Sequence, residues 1–176
     1  MTNKPMLSVD RDALRARIKY LFEYNEETGE FTRIVEVPGG RGKVGMIAGS
    51  PDGAGYLMIR VDGRRYKAYQ LAWLYVTGNW PKDMIDHRDM NVSNNAFANL
   101  RECNNGQNKM NSGVQANNKL GIKNVHVLPN GSFKASVGKD KKYHQKIFKT
   151  AEAASAWAAS KRIELHGEFA YIGGLA

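Results

Sequence analysis

Cysteine is almost absent from this chain. One, Cys103, stands among 176 residues, so no intrachain disulfide can form. A structural zinc site built on paired thiolates is excluded as well, because such sites need several thiolates or imidazoles. Histidine is nearly as scarce, and the four at positions 87, 126, 144 and 166 are too scattered for a multi-histidine centre. No run approaches the roughly 18 apolar residues that cross a bilayer. Residues 1–10 hold no apolar stretch of signal-peptide type. The expectation is a soluble, cytoplasmic protein without membrane association. Acidic residues are missing from one region above all: between Gly113 and Lys149 there is one, Asp140, against eight lysines.

What is present is a hydrophobic fraction of 42%, enough for a packed core in one large domain or two small ones. The formal net charge is +9. A polyanionic partner follows, since lysine and arginine gain affinity by displacing counterions condensed on phosphates. The charge is not spread evenly. From Met1 to Ile34 six basic residues balance six acidic ones, and the excess lies in the C-terminal third.

Apolar spacing predicts a helix over residues 8–22, capped by Ser8 and buried through Leu14, Ile18 and Leu21, with Arg11, Arg15 and Lys19 on a solvated face. A polar turn between Tyr24 and Phe31 predicts a hairpin. Strands are expected at 56–61 and 66–68 around Asp62-Gly63, a tight-turn dipeptide. A helix over 69–76 should stop at Gly78, with Pro81 beyond it. Residues 104–118 read as a helix running out into a linker. Three strands, 121–127, 133–137 and 145–148, then precede a helix over 151–165 capped by Thr150. The strands are separated by turns at 129–131 and 138–140, and the helix has a small-residue face suited to lying on a sheet.

The chemistry-bearing string runs from Ile85-Asp86-His87-Arg88-Asp89-Met90-Asn91 through Asn94-Asn95 and Asn99-Leu100-Arg101 to Gln107-Asn108-Lys109-Met110-Asn111. Phosphodiester hydrolysis needs a base to activate water, a Lewis acid for developing charge, and positioning of both. An adjoining histidine and aspartate can supply the first two, if a bend or register break turns both toward one phosphate. Asparagine and aspartate oxygens suit a hard cation such as magnesium or manganese. In its order and residue types this string resembles the HNH endonuclease motif, a ββα-metal finger. Upstream, Phe22–Phe31, Gly55-Tyr56, Leu71-Ala72-Trp73 and Gly78–Pro81 are similar to phage-borne members of that family, so the resemblance covers about residues 10–111.

The resemblance implies a metal-dependent DNA endonuclease of phage homing or nicking type, acting in a bacterial cytoplasm. It makes His87 the general base, with Asn99 orienting its ring. Asp86 and Asn108 become ligands of one divalent cation, Mg2+ or Mn2+. Arg101 is either a phosphate contact or a structural hydrogen-bonding residue at the hairpin end. Met90, Asn94 and Tyr69 depart from the pattern, which commonly has glycine, aspartate and histidine at these places.

Gly121-Ile122-Lys123-Asn124-Val125, Phe133-Lys134-Ala135, Phe148–Ala154 and His166–Ala170 resemble the plant Apetala/ethylene-response-factor DNA-binding domain. That resemblance implies a three-stranded sheet entering the major groove of double-stranded DNA. Lys123, Asn124, His126, Lys134, Ser136 and Lys146 are the candidate contacts. Arginine, the usual bidentate reader of guanine, is lacking on these strands, so phosphate contacts are expected to dominate. His166 reads as a structural helix-end residue.

The expected architecture is α+β. An HNH domain occupies residues 1–112, with its ββα core at 83–112. A linker follows at 113–118, then the sheet-and-helix DNA-binding module at 119–176. No obligate protein partner is evident. The competing reading is a non-enzymatic DNA-binding regulator whose finger is only structural.

Overall fold

The first helix, α1 (Arg11–Leu21), begins where Asp10 caps it, its carboxylate accepting from Asp12 N and Ala13 N. The expected cap, Ser8, lies outside the residues described by this computed structural model, which are 10–36 and 42–173. Leu14, Ile18 and Leu21 are buried at helical spacing, as the apolar pattern requires. The chain folds as two units, Met1–Cys103 and Asn104–Ala176.

In the first unit α1 runs into β1 (Phe22–Tyr24), which pairs antiparallel with β2 (Phe31–Arg33). A second, three-stranded sheet has the order β3 (Ser50–Pro51), β4 (Leu57–Val61), β5 (Arg64–Lys67). Asp62 and Gly63 turn β4 into β5, both at positive φ (44° and 82°), the conformation that a two-residue hairpin demands. Helix α2 (Ala68–Thr77) follows directly and stops at left-handed Gly78, φ 73°. The Arg15 guanidinium donates to Tyr75 O near that stop. Ile18, Phe22, Phe31, Ile59, Leu71 and Leu74 form the centre of one core. Strands β6 (Met84–His87) and β7 (Leu100–Cys103) then make an antiparallel ribbon joined by a long polar loop.

The second unit opens with α3 (Asn105–Asn111), begun by a reciprocal capping box between Asn104 and Gln107. Strands β8 (Val125–Val127), β9 (Phe133–Lys139) and β10 (Lys142–Phe148) form an antiparallel sheet in the order β10-β9-β8. Helix α4 (Ala151–His166), capped by Thr150, buries Ala154 and Ala158 against Val125, Ala135 and Val137. Several expected bounds change here: β8 begins at Val125 rather than at residue 121, and β10 at Lys142 rather than at residue 145. The β9–β10 turn falls at Asp140-Lys141 rather than 138–140, with both residues at positive φ and no glycine, because β9 runs two residues further than expected. The segment after α3 is tied down rather than an open linker. Lys123 Nζ donates to Met110 O at 2.7 Å and also to Ser112 O, and Asn118 Nδ2 donates to Ile122 O at 2.7 Å. These clasps group α3 and residues 113–118 with the second unit.

Candidate active site

Strand β6 ends on Asp86 and His87, both buried, at 6% and 4% exposure. The ribbon register stays regular to this end, with Asp86 opposite Arg101 and His87 opposite Leu100. Alternation along the strand therefore sends the two side chains to opposite faces. The break expected at the pair comes just after it. Arg88 N donates to Asn99 O, Met90 N donates to His87 O, and Met90 takes a φ of 63°.

On its face Asp86 meets Arg101, whose Nε and Nη2 donate to Oδ2 at 2.9 and 2.7 Å. Arg101 is 5% exposed. Burying two charges costs several kcal/mol per ion, and the short paired bonds offset that cost. The arginine is thus a buried partner of the carboxylate. Its structural role describes its position, and a surface phosphate contact does not. Cys103 lies on the same face, with its thiol pushed up to about 11 by burial and by the Asp86 charge.

On the other face His87 Nε2 lies 3.3 Å from Asn95 Oδ1. The far end of that amide is anchored, Nδ2 donating to Ser93 O at 3.1 Å. An oxygen therefore faces the ring, which places the ring proton on Nε2 and the basic lone pair on Nδ1. Burial holds the imidazole below its ordinary pKa. Asn95, Asp89 and Asp86 pull the other way, and Lys67 adds to the lowering. The ring is neutral at pH 7.

Asn95 is itself braced from the N-terminal hairpin. Tyr24 Oη donates to Asn95 O at 2.7 Å, and Phe97 N donates to Glu26 O at 2.8 Å. Gly29, at φ 76°, lies so close that a Cβ there would stand 2.2 Å from Asn95 C and Ala96 N. Only glycine permits that approach. Sequence reasoning missed Asn95. It sits in an Asn-Asn doublet inside a polar loop, and nothing in residue type separates it from its neighbours.

Asn99 was expected at the imidazole, but its side chain is spent on the loop. Its Nδ2 donates to Asp89 Oδ1 at 2.9 Å and Asn94 O at 2.8 Å, and its Oδ1 accepts from Asp89 N at 3.0 Å. The other Asp89 oxygen accepts from Asn94 Nδ2 at 2.7 Å. Burial would raise the Asp89 carboxyl, but bonds from Asn94, Asn91 N and Asn99 outweigh it and hold the group below the usual carboxylate range. Asn99 is the tie of this loop, and Asn95 is the amide placed at the ring. Asn108 is exposed on α3, in the second unit. Among the described residues no three histidine, cysteine or carboxylate side chains converge. A cation at Asp86 would therefore rest on that carboxylate together with amide or backbone oxygens.

The candidate DNA contacts of the second unit separate into three groups. His126, Lys134 and Ser136 share the sheet face away from α4, since His126 pairs with Lys134 and Ser136 with Gln145. Lys146 pairs with buried Ala135, so it stands on the opposite, helix-side face, with its ammonium over the Phe148 ring. Lys123 and Asn124 are structural. The Lys123 ammonium clasps carbonyls and the Tyr171 ring, and burial followed by the Arg162 charge lowers it to about 8. Asn124, at φ 67°, donates from Nδ2 to Ser136 O and extends the sheet. Side-chain type alone could not show Lys123 turning inward. His166 Nε2 meets Gly138 O at 2.9 Å, a structural contact at the end of α4.

Residues 66–110 match the family model described as HNH endonuclease. On this match the chain carries an HNH endonuclease domain, a class of DNA-cleaving hydrolase. A solved structure titled "DNA binding and cleavage by the HNH homing endonuclease I-HmuI" is 18% identical, covers 82% of this chain and 84% of its own, and superimposes with a TM-score of 0.38. No curated protein matches the chain. Among the described residues no helix is long and apolar enough to cross a membrane.

Proposed function

We infer that the protein is a metal-dependent DNA endonuclease of the phage homing or nicking kind, with His87 as general base. One observation carries this reading: a buried, neutral imidazole whose proton is assigned to Nε2 by a braced amide. A base for hydrolysis needs a lone pair of fixed direction and a pKa at or below the working pH. His87 Nδ1 would accept the proton of the attacking water. Asn95 positions the ring, and Asn99 holds the loop through Asp89.

The donor chemistry of Asp86 fits a hard cation, because aspartate oxygens suit magnesium and manganese. Arg101 already holds Oδ2, so a cation would share that carboxylate. Asp86 would hold Mg2+ or Mn2+. Bound there, the ion would stabilise charge on the phosphate. The second unit is read as the Apetala-like DNA-binding module, with His126, Lys134 and Ser136 toward double-stranded DNA.

Incubation with supercoiled plasmid and magnesium or manganese tests this reading. Nicked or linear product should form, vanish with chelator, and fall by about 10²–10⁴-fold in His87→Ala while DNA binding persists. Cleavage that survives chelation would remove the metal from the mechanism. Binding without any cleavage would favour the non-enzymatic regulator.

A further inference from the structure

Beside His87 stands a cation that no motif marks. Lys67 ends β5, and its Nζ lies 3.7 Å from the centroid of the Tyr56 ring and 5.7 Å from that of Tyr69. The same two rings flank the imidazole, Tyr69 edge-on at 5.3 Å and Tyr56 at 6.2 Å, and they contact each other at 5.8 Å. Lysine and histidine thus share one aromatic wall.

The wall is built, not incidental. Asp52 Oδ1 accepts from Ala54 N and Tyr56 N, which fixes the turn presenting Tyr56. Ser93 Oγ donates to Gly55 O, tying that turn to the loop after His87.

Among the described residues no carboxylate pairs with Lys67, and its ammonium donates to no acceptor. A half-buried ammonium held by ring faces alone keeps its donors for an anion. The ribbon leading to it has the same character. Arg60 and Arg65 sit directly opposite each other on the Lys67 face, an arrangement of like charges that costs stability unless an anion lies over it.

We propose that Lys67 is a catalytic residue of this endonuclease. It contacts the phosphate at which His87 works, and Arg60 and Arg65 carry the adjoining backbone toward it. The proposal rests on the endonuclease reading of His87. No bond to lysine forms or breaks. The ammonium donates hydrogen bonds to a phosphate oxygen as negative charge grows there, and Tyr56 and Tyr69 keep it from swinging into solvent.

The test uses the full chain on plasmid, with single-turnover cleavage and DNA binding measured separately. Lys67→Met should slow cleavage about 10²–10³-fold, the loss typical of one preorganised donor, while binding weakens far less. Lys67→Arg should restore part of the rate. Arg60→Gln with Arg65→Gln should weaken binding and flatten its salt dependence. Should Lys67→Met fail to fold by thermal melting, Lys67→Gln serves in its place. A Lys67 variant that folds and cleaves like the parent, or loses only affinity, overturns the proposal. His87→Ala is run in parallel. If it still cleaves, the reading of His87 has failed; if it is dead while Lys67→Met is active, only the Lys67 role has.

Discussion

The two units treat their polar residues in opposite ways. Around Asp86 and His87 polar groups are buried and bound in place: Arg101 on the carboxylate, Asn95 on the imidazole, and Asn99 and Asn94 on Asp89. On β10 the charge is left in water, Lys142 through Ile147 all exposed, although Lys123 of the same unit is folded inward onto carbonyls. Fixed polar groups suit chemistry, where direction decides the rate. Solvated lysines suit holding a polyanion, where number and spacing of charge matter more than geometry.

Substitution of Gly29 tests the fixed side most severely. Gly29→Ala drives a Cβ into backbone at a left-handed position, so a destabilisation of about 3 kcal/mol or more is expected. Denaturant unfolding followed by NMR should show it in the first unit, with cleavage lost as Asn95 is displaced. A variant as stable as the parent would mean that the hairpin does not brace the loop.

A milder change probes the solvated side. Lys134→Gln, on the open sheet face, should weaken DNA binding evenly across sequences and reduce the log–log salt slope by about 0.9. Lys146→Gln, on the helix-side face, should change that slope less. Equal effects would mean that the faces do not divide the work.

The smallest effect concerns pH. His166 is held below its ordinary pKa of 6.5, by burial first and then by Lys123, Lys139 and Arg162, with Gly138 O opposing them. The unfolded chain therefore takes up the proton first as pH falls. The stability tied to neutral His166 is present above about pH 6.5 and drains away as pH drops through that value toward the folded pKa. Melting of the second unit should fall between pH 7 and pH 5, and His166→Gln should flatten that dependence. A pH-independent melt in the parent would contradict it.

Much of the fold was legible because local rules suffice for it. The Leu14-Ile18-Leu21 stripe, Asp62-Gly63, Gly78 and Thr150 each act through a few neighbouring atoms, and the elements form where those rules place them. Asp86 and His87 could likewise be singled out by type and adjacency. What the sequence by itself determined is this inventory: the elements, the charge distribution, and a string carrying an acid, an imidazole and amides. Partnership was decided by the tertiary structure. Asn95 rather than Asn99 reaches the ring, Arg101 is buried on Asp86, Lys123 faces inward, and Lys67 stands against the tyrosines of His87. Each of these turns on a side chain meeting a residue far along the chain, and a hydrogen bond or ring contact depends on distances that residue order does not contain.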